Sequence, residues 1–275
     1  GRAYRATRSA ESLATEHGID LSTVGKTGLI TSADVEAMIA ATRDIDPSSL
    51  PAPLEVTAGQ RRVVLLGGGL GATQVIDILS HDGEQEPVAV LDDDRERWGK
   101  HLDGVPIVGG TERLERLHAD GLVDAAIVAI STSIPARTRL RELCHKYDVP
   151  LTNAIDPTAR LASGVHLGQG NVICAFCHFG VGTIVGDNNF LSAYNSFDHH
   201  STLGSDISTG PGCMTSGLVT VGDRVRLGTG IFVEPKVEIA DDVIVASGAV
   251  LVRSVPAGHV VKTRAGTNVV SPRRP

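Results

Sequence analysis

The sequence predicts a multidomain chain: a small helical N-terminal module, an α/β half-domain, and a left-handed parallel β-helix of hexapeptide repeats. Three patterns carry this. An apolar residue recurs every six positions from Leu161 to Leu251, a strand, glycine loop and helix follow one another from Arg61, and two short helical stretches fall within residues 7–42. At 275 residues the chain exceeds the usual size of one domain, so separate cores are expected.

Composition narrows the class. With 41% hydrophobic but only 3% aromatic residues, the chain packs with small and β-branched side chains, and its 31 glycines point to many tight turns. A formal net charge of -7 with no basic stripe argues against a nucleic-acid binder. The longest apolar runs, such as Val63 to Leu66 and Ala125 to Ile130, are strand-sized and too short to span a membrane. No signal peptide is apparent, and a reduced cytoplasm suits the four cysteines, Cys144, Cys174, Cys177 and Cys213. Cys174 and Cys177 have C-x-x-C spacing, yet the repeat register puts Cys177 and Cys213 at the same small-residue site. Packing is therefore favoured over zinc, and no metal is expected.

Residues 1–44 read as the helical module: a helix from about Thr7 to His17, the turn Gly18-Ile19-Asp20-Leu21, a loop Gly25-Lys26-Thr27-Gly28, and a helix from Ser32 to Thr42. Residues 45–60 form a Pro-rich linker, extended and semi-rigid around Asp46-Pro47-Ser48-Ser49-Leu50-Pro51-Ala52-Pro53, which lets the module swing.

Residues 61–155 form the α/β half-domain. Arg61 to Leu66 reads as a buried strand that enters Gly67-Gly68-Gly69-Leu70-Gly71-Ala72, after which Thr73 to Leu79 is helical. Glycines there let the backbone approach a phosphate at a helix N-terminus. A tight turn with no ligand uses the same residues. A second strand, Pro87 to Leu91, ends in Asp92-Asp93-Asp94, where a carboxylate can accept hydrogen bonds from a ribose or base. A third strand, Asp124 to Ile130, and a helix near Pro135 to Tyr147 complete a unit too short for a full dinucleotide fold.

Residues 156–257 form the β-helix, followed by a tail over 258–275. Sixteen positions lie in phase from Leu161, and all but Thr209 and Thr215 are apolar. A period of six fits neither an amphipathic helix nor an alternating strand; it is the mark of a solenoid. The next residue is glycine at Gly168, Gly180, Gly186, Gly204, Gly210, Gly222 and Gly228, so turns recur every hexad, and three hexads make a triangular coil of 18 residues. Narrow side chains four places on, such as Cys177, Thr183, Cys213 and Val219, suit an inner corner. Asn171, Asn189, Asn195 and Ser201 there need partners between coils.

The hexads resemble those of the hexapeptide acyltransferases, which implies a homotrimer with active sites between neighbouring subunits. With the half-domain included, residues 61 to 257 resemble the sugar O- or N-acyltransferases of the sialic-acid and bacillosamine type, in which a small Rossmann-like domain holds a nucleotide-linked sugar. That resemblance implies an acceptor site at Gly67, Gly69, Gly71, Asp92, Asp93 and Ser131. A histidine common in that family before the proline that opens the β-helix is Asp156 here. The module, through Leu13-Ala14, Gly18 to Leu21 and Ile30 to Val35, resembles the peripheral subunit-binding domain of 2-oxoacid dehydrogenase acyltransferases. This implies a thiamine-dependent dehydrogenase-like partner and a lipoyl- or carrier-bound acyl thioester as an alternative donor to acyl-CoA. Leu29 stands where that family often has a partner-binding arginine.

The segment Phe197-Asp198-His199-His200-Ser201 puts two histidines in the turn half of one hexad, directed outward. Acyl transfer needs a base to take a proton as the nucleophile attacks a thioester, and imidazole titrates in the right range. By resemblance His199 is that base. His200 takes the place of the acidic residue that usually orients it, with Asp198 or Asp206 as carboxylates for the same part. Gly217, one coil later, corresponds to the glycine whose N–H holds the thioester oxygen, though it serves equally as a turn residue. Gly228, Gly230, Ala246 and Gly248 lie where the family lays the pantetheine arm of coenzyme A, and Lys262 and Arg264 are placed to meet its phosphates. The expected function is transfer of an acyl group from a thioester to an amine or hydroxyl of a nucleotide-linked sugar. The alternative is a non-catalytic trimeric scaffold that docks partners of a 2-oxoacid-dehydrogenase-like complex.

Overall fold

A computed structural model describes residues 5–16, 19, 21, 28–36, 50–56 and 59–263. The chain divides into two compact units, residues 1–50 and 51–275.

In the first unit, strand β1 (Arg5–Ala6) pairs in parallel with β2 (Leu29–Ile30), and helix α1 (Arg8–Glu16) lies between them in sequence. Ala10, Ala14, Leu21, Ile30 and Val35 form a small core. Residues 32–36 open the expected second helix, capped where the N–H and hydroxyl of Thr31 both donate to Asp34 Oδ2 at 2.7 Å. The two-strand pair is a correction to the purely helical reading. The loop at Gly25 to Thr27, and the helix beyond residue 36, lie outside the described residues.

The Leu54 N–H donates to the Val88 carbonyl at 2.9 Å, and Val56 packs on the α/β core, so residues 51–56 belong to the second unit. Val88 is the residue skipped where Val63 pairs with Pro87 and Val64 with Ala89, a bulge that leaves its carbonyl available.

The α/β part runs β3 (Arg61–Leu66), α2 (Leu70–Ser80), β4 (Gln85–Leu91), β5 (His101–Leu102), β6 (Val105–Gly109), α3 (Leu114–Ala119), β7 (Ala125–Val128) and α4 (Ile134–Lys146). Its sheet has the order β5-β6-β4-β3-β7, with β5 antiparallel to β6 and the other pairs parallel. The hairpin is a further element that the sequence reading lacked. Its Asp103-Gly104 turn has both residues at positive φ, 46° and 86°, which suits the right-handed twist of the strands it joins. Arg62 beside Asp124, at 2.6 Å, clamps β3 to β7 and holds the Asp124 carboxyl below its ordinary range. Helix α4 starts at Ser133, whose hydroxyl accepts from the Ala136 N–H at 3.3 Å, with Pro135 in the first turn where its missing N–H costs nothing.

From Ala154 onward the chain is a parallel β-helix of two-residue strands in three sheets. The first face contains Phe190–Leu191, Ser208–Thr209, Arg226–Leu227 and Ile244–Val245; the second Ser196–Phe197, Met214–Thr215 and Phe232–Val233; the third Ile184–Val185, Thr202–Leu203 and Thr220–Val221. Strands through Phe232–Val233 pair with their equivalents 18 residues on, as Phe179 with Phe197 and Leu203 with Val221, whereas in the last coil Ile244 pairs with Val260. The apolar phase from Ile173 to Leu251 is buried in one continuous core. The two threonines in phase are buried as well, and their hydroxyls accept from the N–H groups of Ser192 at 3.0 Å and Asp198 at 3.3 Å.

Glycine's part differs from the expectation. Gly180 and Gly228 follow the apolar site because a β-carbon there would press within 2.5 Å of the backbone nitrogen of the next coil, at His199 and Ser247. The left-handed backbone falls two residues later, as at Gly182 (φ 70°), His200 (φ 54°) and Leu218 (φ 62°). The inner polar sites form the expected ladder. Asn153 Oδ1 accepts from the Asn171 N–H at 2.8 Å, Asn171 Oδ1 from the Asn189 N–H at 3.0 Å, and Asn189 Oδ1 from the Ile207 N–H at 2.8 Å. Cys177 and Cys213 are each 1% exposed and donate to the carbonyls of Ser192 at 3.1 Å and Gly228 at 3.0 Å.

Candidate active site

Residues 198–201 turn the chain from the second face to the third, and the hydroxyl and N–H ladders of neighbouring coils fix that corner. Asp198 spends its carboxylate on its own turn, Oδ1 accepting from the His199 N–H at 2.7 Å. The His199 carbonyl accepts from the Leu218 N–H at 2.9 Å, and the His200 N–H donates to the Val181 carbonyl at 2.8 Å, so both histidine backbones are pinned to adjacent coils. Both side chains are exposed, and their Nδ1 atoms lie 3.2 Å apart. His200 rests on Gly182, where a β-carbon would meet its Cδ2 at 3.2 Å.

The His199 ring lies against Gly217, one coil on. A β-carbon on Gly217 would fall on Cε1 and Nε2 of the imidazole, so no other residue leaves the ring in this position. Gly217 lies in the turn, but without a positive φ, so its own backbone angle does not require glycine. Among the described residues its N–H has no backbone or side-chain acceptor. A candidate base and a backbone donor therefore share one corner.

Asp206 does not join them. It sits at the corner between the third and first faces, where its carboxylate pairs with Arg141 at 2.8 Å and accepts from Asn188 Nδ2 at 2.6 Å. Asp198 is likewise engaged with its own backbone. Of the candidate partners, His200 alone reaches the His199 ring.

Gly228, Gly230, Ala246 and Gly248 gather at the remaining corner, between the first and second faces, and Lys262 follows the last strand of the first face. A β-carbon at Gly230 or Gly248 would meet nothing within 4 Å, so this corner is an open shelf. It lies across the whole second face from His199 in the same chain. That face carries the exposed residues Met214, Phe232 and Val250 in register. Arg264 is outside the described residues.

The acceptor residues cluster at the carboxyl ends of β3, β4 and β7, but several are engaged there. Gly67, at φ 98°, approaches Ile130, and a β-carbon on Gly71 would strike the Ala129 carbonyl at 2.6 Å, so packing accounts for both. Gly69, the N-cap of α2, faces open space. Asp92 accepts from the N–H groups of Gly68 at 2.5 Å and Asp94 at 2.8 Å; Asp93 accepts from the Thr111 N–H at 2.9 Å and hydroxyl at 2.7 Å. The Ser131 carbonyl accepts from the Ser208 hydroxyl at 3.4 Å. A cleft of about 600 Å³ lies beside α4, lined by Thr132, Ser133, Arg139, Arg226 and Ile244 among others, and holds none of the assigned residues.

Cys174 and Cys177 are buried free thiols. Burial pushes their thiols up to about 12 and about 11, and among the described residues no three His, Cys, Asp or Glu side chains converge on a metal site. No helix among the described residues is long and apolar enough to cross a membrane.

Prism and corner together define the class of hexapeptide-repeat acyltransferases. Among solved structures the chain is similar to a histidine-to-asparagine variant of perosamine N-acetyltransferase from Caulobacter crescentus in complex with CoA and GDP-perosamine. The two are 31% identical with a TM-score of 0.69, over 75% of this chain and 95% of that one. The acetyltransferase domain of PglB from Neisseria gonorrhoeae, in complex with acetyl coenzyme A, is 25% identical with a TM-score of 0.68, over 74% of this chain and 96% of that one. Among curated proteins, the acyl-[acyl-carrier-protein]–UDP-N-acetylglucosamine O-acyltransferase of Helicobacter pylori is 31% identical over 97 residues. The match covers 33% of this chain and 36% of that protein, so it reaches only about a third of the relative's length. No family model matches the chain. The chain belongs to the hexapeptide-repeat sugar N-acetyltransferase family.

Proposed function

We propose that the protein transfers an acetyl group from acetyl-CoA to an amine on a nucleotide-linked sugar, and that His199 is the general base. The seating of the His199 ring on Gly217 carries this reading. In the productive tautomer, His199 Nδ1–H donates to His200 Nδ1, which leaves the lone pair on His199 Nε2. Nε2 takes a proton from the sugar amine as its nitrogen attacks the thioester carbonyl. The Gly217 N–H donates to the oxygen as negative charge builds on it, and collapse of the adduct expels the coenzyme A thiolate.

The donor's pantetheine arm lies on the shelf of Gly228, Gly230, Ala246 and Gly248, with Lys262 toward its phosphates. The base and the shelf flank the second face, so we place each site between two chains of a homotrimer of left-handed β-helices, with Met214, Phe232 and Val250 in the interface. Gly67, Gly69, Gly71, Asp92, Asp93 and Ser131 frame the acceptor's nucleotide, with Gly69 as the point of closest approach. The free thiols suit a cytoplasmic enzyme. Residues 1–44 remain a candidate peripheral subunit-binding-like module for a thiamine-dependent dehydrogenase-like partner, and a lipoyl- or carrier-bound thioester is then a second donor. The relatives' complexes with CoA and acetyl coenzyme A favour acetyl-CoA and chemistry over a scaffold.

Acetyl-CoA and GDP-perosamine supply the test. The full chain should release coenzyme A and form an N-acetylated sugar, and His199→Asn should reduce kcat by about 10²- to 10⁴-fold with its assembly intact. Undiminished turnover by His199→Asn would refute the assigned base.

A further inference from the structure

Helix α4 carries Arg137, Arg139 and Arg141, and the three do not share a direction. Arg137 is 1% exposed, and its Nη1 donates to the Ile207 carbonyl at 3.0 Å and the Ser208 hydroxyl at 2.7 Å. Arg141 pairs with Asp206, whose side chain is 2% exposed. Arg139 instead reaches Asp93 Oδ2 at 3.4 Å. Asn188 ties the lock together, its Nδ2 donating to both Asp206 Oδ1 and the Arg137 carbonyl.

This lock is costly. Two guanidinium groups face one carboxylate, and Nε and Nη2 of Arg137 and Nε of Arg141 are buried without hydrogen-bond partners among the described residues. Burial pulls Arg137 down to about 10. An apolar side chain of similar volume is often neutral or better for stability in such a place, so stability does not explain the arrangement.

Its position does. Asp206, Ile207 and Ser208 lie midway along the single coil that begins at His199 and ends at Gly217. The other end of the lock holds Ser131 and, through the same helix, Asp93. We propose that Arg137 is a positioning residue that fixes the acceptor-binding loops at a set distance from the coil carrying the base and the oxygen donor. This rests on the acetyltransferase reading above.

The experiment compares the full chain with Arg137→Met, which keeps length and apolar packing but removes the donors. Wild-type GDP-perosamine turnover tests the functional reading by itself. Given turnover, Arg137→Met should raise KM for GDP-perosamine by about ten-fold and leave KM for acetyl-CoA within about two-fold. A merely structural role would lower the melting temperature and leave that split absent. Arg137→Lys, which keeps the charge and one donor, should recover part of the loss. Backbone hydrogen exchange reads the same point without activity: segments 67–72 and 92–97 should exchange about ten-fold faster in Arg137→Met, with the coils unchanged. Equal exchange in both proteins, or two unchanged KM values in an active variant, would overturn the proposal. Should Arg137→Met not fold, Ser208→Ala breaks the same hydrogen bond from the β-helix side and should shift both readouts in the same direction.

Discussion

Gly217→Ala isolates the contact on which the chemistry depends. The new methyl falls on Cε1 and Nε2 of His199, and the corner cannot yield, because the His199 carbonyl is held by the Leu218 N–H at 2.9 Å. The ring must therefore swing about its own side-chain bonds, carrying Nε2 by roughly 1 Å or more, a displacement that costs a catalytic group about 10² in rate. We expect kcat to fall about 100-fold, close to 2.7 kcal/mol of barrier. Fold and N–H both survive, since the backbone at 217 is not left-handed and alanine keeps the donor. Coenzyme A release measured with a thiol reagent gives the rate, and calorimetry checks that the melting temperature is nearly unchanged. In a His199→Asn background no base remains to be displaced, so Gly217→Ala should then cost less than about three-fold. A single-variant loss below about three-fold, or a full 100-fold loss repeated in the double variant, would refute the argument that the glycine acts by seating the ring.

Two further outcomes concern the scaffold. Asn189→Ala leaves the buried Ile207 N–H without its 2.8 Å acceptor and frees the Gly204 carbonyl, so chemical denaturation should show a loss of about 2–3 kcal/mol. Burial pushes the Cys144 and Cys174 thiols up to about 12 and Cys177 to about 11, from an ordinary 9.0. The folded protein then keeps thiol protons that an unfolded chain has lost, so stability should be full below pH 9 and decline as pH rises toward 12. A melting temperature that holds constant across that interval would contradict the sign, as would rapid alkylation of the native protein at neutral pH.

The β-helix was legible because its rule is local and repeated: every sixth side chain points to one core, and fourteen of sixteen such positions are apolar. Even its exceptions, Thr209 and Thr215, have hydrogen-bonding reasons that lie one coil away. The outward corner position of His199 and His200, with Gly217 one coil on, was legible for the same reason, whereas their chemical roles came from the family resemblance alone. Asp206 was misread because being near in sequence is not being near in space on a prism; seven residues carry the chain around a corner. The hairpin had a signal in Asp103-Gly104 that the search for parallel strands passed over. Arg137 had none, because its partner lies 70 residues away and an arginine in the first turn of a helix reads as a surface residue. The linker's end was hidden similarly: a proline-rich stretch says nothing of the bulge at Val88 that receives Leu54.

The three-hexad coil also governs which changes of length the protein can survive. Removing 18 residues between Gly217 and Leu251 would shorten the column by one storey and leave every later side chain above its old neighbour's kind. Removing six would turn everything downstream by a third of a revolution, placing glycine corners beneath bulky ones. Variation in this region should therefore accumulate by whole storeys, while the histidine corner, tied to the storeys on either side of it, stays where it is.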